Sequence, residues 1–202
     1  HEGKLMEPLY LAWTMDCERI AAESPPGGPA TWELSERAIR GYCDTLLAAG
    51  AFPTLFLTPE CAVQHRAMFR DYAKQGVELG LHVHPQSFAE HQYEKYLGEY
   101  DADTQRKIIS EAMAVFADAI GWEPRSFRAG NDSATDDTFR VLSELGFLAG
   151  SVSCPGREVP KYAARWETAY RYAHWAHRSN RLVPGDLPFF EVPMSTHPTE
   201  RS

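Results

Sequence analysis

Short apolar runs alternate along the chain with segments whose apolar residues recur at helical spacing, and this alternation constrains the fold more than any other feature. The runs predict six strands, at residues 9–13, 54–57, 77–83, 126–130, 147–152 and 188–194. Strands that alternate with helices over short connections are typical of parallel βαβ units. The sequence therefore predicts an α/β fold.

The amphipathic segments between the runs predict four helices. They cover about residues 31–50, 58–74, 108–119 and 135–146, whereas residues 153–185 read as irregular. Thr58 and Thr135 are the predicted caps of two of these helices, because a threonine hydroxyl can accept a hydrogen bond from a free amide of the first turn. Asp136 and Asp137 would then complement the dipole of the fourth helix.

Chain length limits the number of strands. An eight-fold (β/α) barrel needs about 250 residues, and this chain has 202. We predict a distorted (β/α) barrel of about six to seven parallel strands, either smaller than eight-fold or cut short at Ser202. Residues 1–7 resemble a tag remnant or a disordered N-terminus, which leaves residues 8–202 as a single domain.

Charge and composition narrow the function classes. A formal net charge of -8 argues against nucleic acid or an anionic membrane as the main partner. No apolar run approaches the ~20 residues that a membrane span requires. The four cysteines are scattered and form no CxxC pair, which favours reduced thiols and, with no signal peptide visible, a cytoplasmic location.

Charged or metal-binding side chains follow four of the six predicted strands, where a protein without a site at this edge would carry glycine, asparagine or serine. They are Asp16 and Glu18, His82 and His84, Arg128 followed by Asn131 and Asp132, and His197. The carboxyl ends of parallel strands meet at one edge of the sheet, where α/β proteins place their chemistry. These residues are therefore the candidate site.

The "HVH" sequence is the strongest single signal. Residues two apart in a strand point to the same face, so His82 and His84 can direct both imidazoles at one ion. A carboxylate from another strand would complete a three-ligand catalytic zinc site. The alternative is a pair of unrelated surface or core histidines, and Asp16 and Glu18 could likewise be solvated or capping carboxylates.

If both carboxylates belong to the site, one binds the metal and the other accepts a proton from water. Cys17 lies between them and should point the opposite way, although a bond from Cys17 to zinc stays open. Arg128 could orient a catalytic carboxylate by a charge-assisted hydrogen bond, or form an ordinary ion pair.

The irregular stretch also contains candidate residues. His174 and His177 are expected to pack or to contact solvent rather than to bind metal. Four aromatic residues there could stack against a sugar, but a small hydrophobic core within the loop explains them better: Trp166, Tyr170, Tyr172 and Trp175.

The order of these motifs resembles that of the polysaccharide deacetylase superfamily, the NodB-homology or carbohydrate esterase family 4 fold. "TMDCE" resembles its first motif, Thr-Phe-Asp-Asp-Gly, and "LGLHVHP" resembles its second, which binds metal through histidine. "FRAGNDSATDDTFRVLSELGF" resembles its third motif best, and "FFEVPMSTHP" lies where a later motif would. The family fold is a distorted barrel, usually of seven strands.

The resemblance implies roles for individual residues. Asp16 would be the general base, Arg128 its orienting partner, and His82 and His84 metal ligands. Cys17 replaces the second aspartate of the family motif, so Glu18 becomes the candidate third ligand, and Gln86 replaces the second histidine of the usual spacing. His197 is a candidate acid, although the usual Leu-x-His context is absent.

The implied activity is metal-dependent hydrolysis, with zinc as the expected divalent ion and an acetylated carbohydrate as the substrate. One rival is hydrolysis of a C–N amide bond in a small non-sugar substrate on the same fold. The other is a catalytically degenerate barrel that binds carbohydrate without hydrolysing it.

Overall fold

The computed structural model describes residues 10–23, 28–87 and 92–196, so the predicted N-terminal remnant at residues 1–7 lies outside the described part. The helices are α1 (Trp32–Ala48), α2 (Pro59–Gln64), α3 (Arg66–Lys74), α4 (Ala102–Ile120) and α5 (Thr138–Glu144). The strands are β1 (Thr14–Cys17), β2 (Thr54–Leu57), β3 (Glu78–Val83), β4 (Ser126–Ala129), β5 (Ala149–Gly150), β6 (Glu158–Val159), β7 (Ala164–Arg165), β8 (His174–Trp175) and β9 (Phe190–Glu191).

Seven of these strands form one sheet in the order β1-β2-β3-β4-β5-β9-β8. Neighbours from β1 to β9 in that order are parallel, whereas β8 runs antiparallel to β9. Within the described ranges no pairing joins β1 to β8, so hydrogen bonds do not close the sheet into a full ring. The predicted α/β class with a mostly parallel sheet is confirmed.

One face of the sheet carries the helices and the core. Helices α2, α3 and α4 pack on the central strands, and α5 packs beside α4. Fully buried aromatic rings fill this layer, with Phe127 of β4 in edge contact with Phe147 at 5.4 Å between ring centroids. Each such ring contributes about 2 kcal/mol through burial. None of the described helices is both long enough and apolar enough to cross a bilayer.

The other face of the sheet lines a cavity of about 470 Å³. Thr14 on β1, Thr54 and Phe56 on β2, and Ser126 and Arg128 on β4 line it, because alternate residues of a strand point to the same face. Arg128 lines this cavity, and its guanidinium also contacts Asp16 on β1.

The first strand lies further along the chain than predicted. The prediction was residues 9–13, but Leu9 is outside the described residues and pairing with β2 begins only at Thr14. Tyr10 and Leu11 are 85% and 69% exposed. Strand position follows the pairing with β2 rather than the apolar run, so Asp16 lies within β1 instead of after it.

The second and fourth helices also differ from prediction. The segment predicted at 58–74 breaks at His65, whose ring packs edge-on against Trp32 and Phe69. The fourth predicted helix corresponds to α5, which begins at Thr138, three residues after the predicted cap Thr135. Thr135 accepts a hydrogen bond from the Asp137 amide through its hydroxyl, so the two aspartates lie in a turn before the helix.

The last two strands are shorter than predicted, and the stretch predicted to be irregular contains strands. Residues 147–152 and 188–194 contribute only the two-residue strands β5 and β9 to the sheet. Residues 153–185 contain β6, β7 and β8, which their pattern did not predict. Strands of two residues are too short to produce a recognisable alternation of apolar and polar side chains.

Candidate metal centre

The register of the central strands brings the polar residues to one edge of the sheet. His82 on β3 is level with Arg128 on β4, and Asp16 on β1 is level with Phe56 on β2. Glu18 and His84 lie just beyond the ends of β1 and β3. Side chains from distant parts of the chain therefore converge, as the prediction from strand ends required.

Glu18, His82 and His84 form a compact cluster whose ligand atoms all lie within 4.8 Å of one another. Oε1 of Glu18 is 3.1 Å from Nε2 of His84 and 3.4 Å from Nε2 of His82. The two imidazoles are perpendicular, with centroids 4.7 Å apart. Two imidazole nitrogens and one carboxylate oxygen are a donor set that zinc prefers.

The hydrogen bonding of His82 suits a metal ligand. Its Nδ1 lies 3.0 Å from the carbonyl oxygen of Arg128, so the proton on Nδ1 is donated to that oxygen and Nε2 carries the lone pair in the neutral ring. Nε2 is buried and has no hydrogen-bond partner among the described residues. A buried lone pair that faces a carboxylate is stabilised by a positive charge between the two, which either a proton on Nε2 or a bound cation would supply.

The pKa shifts of Glu18 and His82 also favour a positive charge in the cluster. Burial disfavours the charged form of Glu18, yet the two imidazoles hold the pKa of its carboxyl well below the usual range. Burial likewise opposes a charged His82, but the carboxylates of Asp16 and Glu18 outweigh it and raise the pKa of the imidazole. The cluster thus favours positive charge near Glu18, so the residues present fit a divalent ion.

Arg128 links Asp16 to the interior. Its Nη1 donates to Oδ1 of Asp16 at 2.8 Å, and its Nη2 donates to the hydroxyls of Thr14 and Ser151, each at 2.9 Å. Its Nε donates to the Ser151 carbonyl at 3.2 Å, and the guanidinium stacks 4.4 Å above the centroid of Phe56. With this many fixed contacts, a buried guanidinium holds the Asp16 carboxylate in one orientation.

Cys17 points away from the cluster, as the alternation of side chains along β1 predicts. The thiol is 2% exposed and belongs to the apolar core, and burial raises its pKa well above the ordinary value. A metal ligand would have to be a thiolate. The possibility of a bond from Cys17 to zinc is therefore not supported by its position.

The remaining candidates lie elsewhere. His197 falls outside the described residues. His174 is on β8 with its Nδ1 2.7 Å from the carbonyl oxygen of Tyr172, and His177 lies in the loop that follows β8. Trp166 is fully buried, whereas Tyr172 and Trp175 are 72% and 54% exposed. Only some of the four aromatic residues therefore belong to a hydrophobic core.

Two buried carboxylates near the site had no assigned role in the sequence. Asp132, just after β4, accepts a hydrogen bond from Nη1 of Arg157 at 2.7 Å, and burial raises its pKa to about 6. Glu191 on β9 is fully buried, and burial raises its pKa to about 7. Asp132 has a φ of 55°, a strained conformation for a residue other than glycine. This strain and both carboxylates' burial depend on tertiary contacts that the local sequence does not signal.

Gly130 leaves the space that His84 occupies. A Cβ at this position would lie 2.5 Å from Nδ1 of His84, closer than atoms can approach, although the backbone φ of Gly130 is not in the left-handed region. We therefore expect Gly130→Ala to displace the imidazole and weaken zinc binding by about 10- to 100-fold, the cost typical of a disturbed ligand orientation. Competition titration with a zinc chelator measures the affinity.

Gly41→Ala is the matched control, because nothing lies within 4 Å of the added Cβ in α1. It should leave zinc affinity unchanged and stabilise the exposed helix by about 0.5 to 1 kcal/mol. Unchanged zinc affinity in Gly130→Ala would show that His84 does not bind the ion through its present orientation.

Glu191 should make stability depend on pH. Its pKa rises from 4.5 in the unfolded chain to about 7 in the fold, so between these values the unfolded chain binds fewer protons and stability falls as pH rises. Relative to Glu191→Gln, the wild type should therefore lose about 2 to 3 kcal/mol of unfolding free energy between pH 4 and pH 8. Urea denaturation of the two metal-free proteins at several pH values measures it, and a pH-independent difference would contradict the burial argument.

Fold and cluster together define an α/β protein with a carboxylate–histidine site at the carboxyl ends of its strands. The sequence profile described as polysaccharide deacetylase matches residues 30–150. The chain belongs to the polysaccharide deacetylase family, as its motifs indicated. The matched range includes His82, His84 and Arg128, whereas Asp16 and Glu18 precede it. No curated protein sequence is significantly similar to the chain.

Solved structures share the fold at low sequence identity. A Mycobacterium smegmatis protein assigned to the polysaccharide deacetylases has a TM-score of 0.59 and 22% identity over 91% of this chain and 58% of its own. A family 4 carbohydrate esterase from Streptomyces lividans, in complex with acetate, has a TM-score of 0.51 and 16% identity over 73% of this chain and 64% of its own. An allantoinase has a TM-score of 0.52 and 15% identity over 92% of this chain and 61% of its own. The chain thus spans about three fifths of the length of these proteins.

Proposed function

We propose that the chain is a metal-dependent hydrolase that removes acetyl groups from N- or O-acetylated carbohydrate. The observation that carries this proposal is that two carboxylates with different partners, Glu18 and Asp16, lie beside Nε2 of His82. Glu18 contacts both imidazoles, while Asp16 is held by Arg128 with its other oxygen, Oδ2, 3.9 Å from Nε2 of His82. Family membership supports hydrolysis of this type.

Glu18, His82 and His84 would hold the divalent ion, and zinc suits this donor set. When bound, such an ion polarises an acetyl carbonyl and lowers the pKa of water toward about 7. The fixed tautomer of His82 keeps Nε2 available, and the burial of both imidazoles keeps competing water away from the ligands.

Asp16 is the proposed general base. Its Oδ1 is occupied by Arg128, which leaves Oδ2 on the side of the cluster to take the proton from the attacking water. The proton then has to reach the leaving amine or alcohol. His197 is the proposed acid, on the strength of the family resemblance alone.

The test combines metal content with product release. Purified protein should contain about one divalent ion per chain, and it should release acetate from the tetramer of N-acetylglucosamine. Dialysis against a chelator should abolish acetate release, and added zinc should restore it. Full activity after verified removal of the ion would overturn the metal-dependent mechanism.

A second candidate is hydrolysis of an amide bond in a small cyclic substrate. The fold that the chain shares with the allantoinase, over 92% of its own length, is the reason to test it. Allantoin is the matching probe. Ring opening of allantoin with no acetate release from the sugar tetramer would favour this candidate.

A catalytically degenerate, carbohydrate-binding barrel predicts a third outcome. Such a protein would release no product from either probe, and a chelator would leave its melting temperature unchanged. Binding of the sugar tetramer under those conditions, measured by calorimetry, would support it over both hydrolases.

A further inference from the structure

One carboxylate oxygen of Glu191 accepts three hydrogen bonds. Its Oε1 accepts hydrogen bonds from the amides of Val152 and Ser153, at 2.9 and 2.7 Å, and from the Ser153 hydroxyl at 2.7 Å. The side chain is fully buried, and its Oε2 has no partner among the described residues. Burying a carboxylate costs free energy unless hydrogen bonds compensate it, and these three donors provide that compensation at Oε1.

These three donors belong to the residues that directly follow Ser151. The ladder of β5 covers only Ala149 and Gly150, and after it the backbone amides at 152 and 153 have no strand partner. Glu191 supplies the missing acceptor from the neighbouring strand. The carboxylate therefore fixes the backbone immediately beyond the sheet, together with the bonds from the Ser151 amide to the Phe127 carbonyl and from the Met194 amide to the Ser153 carbonyl.

Ser151 in turn is a main support of Arg128. Its carbonyl accepts from Nε at 3.2 Å and its hydroxyl accepts from Nη2 at 2.9 Å. If the backbone after Gly150 moved, both acceptors would move with it, and the guanidinium would lose the contacts that aim Nη1 at Asp16.

We propose that Glu191 is a positioning residue, which fixes residues 151–153 so that Ser151 holds Arg128 against Asp16. The inference rests on the proposed function, in which Asp16 is the base. Glu191 touches no reacting atom in this scheme. It acts through Ser151 to orient the charge-assisted hydrogen bond between Arg128 and Asp16.

The test compares Glu191→Leu with Glu191→Gln. Leucine removes the acceptor and should lower kcat for acetate release from the N-acetylglucosamine tetramer by about 10²-fold with little change in KM, the effect of a small misplacement at the reacting centre. Glutamine keeps a carbonyl oxygen for the three donors and should retain most of the activity. Exchange of the Arg128 Nε proton, followed by ¹⁵N NMR and assigned with Arg128→Lys, should accelerate in Glu191→Leu only.

Phe69→Leu is the control for lost stability. Phe69 lies on α3, is fully buried and makes an edge contact with the ring of His65. Its replacement should lower the melting temperature yet leave kcat and the Arg128 exchange rate unchanged. Equal effects of Glu191→Leu and Phe69→Leu on kcat and exchange at matched melting temperature would overturn the proposal.

Two further arms keep the result decisive. If Glu191→Leu does not fold, Ser153→Ala removes one of the three donors and should give a smaller change in the same direction, whereas no change in exchange would reject the proposal. If even the wild type releases no acetate, the proposed function fails. The exchange rates then still decide whether Glu191 positions Arg128.

Discussion

Replacing His82 with alanine should remove the bound ion and lower acetate release by at least about 10³-fold, because the site then loses the chemistry that lowers the pKa of water. His82 is the proposed ligand whose buried Nε2 has no hydrogen-bond partner among the described residues, and the Arg128 carbonyl fixes its ring. The fold should survive, since the alanine removes a polar ring rather than part of the apolar core. Elemental analysis, steady-state kinetics and circular dichroism measure the three effects.

His177→Ala is the matched control. His177 lies after β8 and accepts from the Ser179 amide through Nδ1, outside the Glu18–His82–His84 cluster. Its removal should leave metal content and kcat unchanged. Wild-type turnover in His82→Ala, in protein shown to fold, would exclude the cluster as the catalytic metal site.

Asp16→Asn should distinguish the proposed base from the proposed metal ligands, because it should lower turnover without removing the ion. An asparagine keeps the shape of the side chain and an oxygen for Arg128 but cannot take a proton, so kcat should fall by about 10²- to 10⁴-fold. Metal content should stay at the wild-type level, because Asp16 is not a member of the Glu18–His82–His84 cluster. The same kinetics and elemental analysis measure both quantities.

Two outcomes would contradict these assignments. Loss of the ion in Asp16→Asn would make Asp16 a ligand, and wild-type turnover would remove it from the reaction. Fold stability offers a check, because the Asp16 side chain is 34% exposed and its neutralisation should change the unfolding free energy only modestly. A large loss of stability would mean that the Arg128–Asp16 pair is chiefly structural.

The central strands could be predicted from the sequence almost to the residue. β2 lies where predicted, and β3 and β4 differ by one residue at one end. These strands are buried on both faces, so each appears as an apolar run between helix and turn signals. The edge strand β1 was placed too early, because only its pairing with β2 decides which residues of an extended segment form the strand.

The candidate site was predicted in part. His82, His84 and Glu18 could be grouped because strand ends converge in any parallel sheet. The contact of Arg128 with Asp16 joins residues 112 apart in sequence. The position of Arg128 at a strand end suggested that it orients a carboxylate, and the resemblance identified that carboxylate as Asp16. The contacts of Ser151 with Arg128 and of Glu191 with residues 152 and 153 were not predicted, since neither a serine nor a glutamate in an apolar run signals which side chain it will meet.

Local pattern alone settled the α/β class, the parallel central strands and the set of polar residues that could share an edge, because side-chain alternation and turn chemistry act between near neighbours in the chain. Only the folded chain decided that Glu18 contacts both imidazoles and that the buried Glu191 accepts hydrogen bonds from the amides that follow Ser151. These choices depend on strand register and burial, which are set by contacts between segments far apart in sequence.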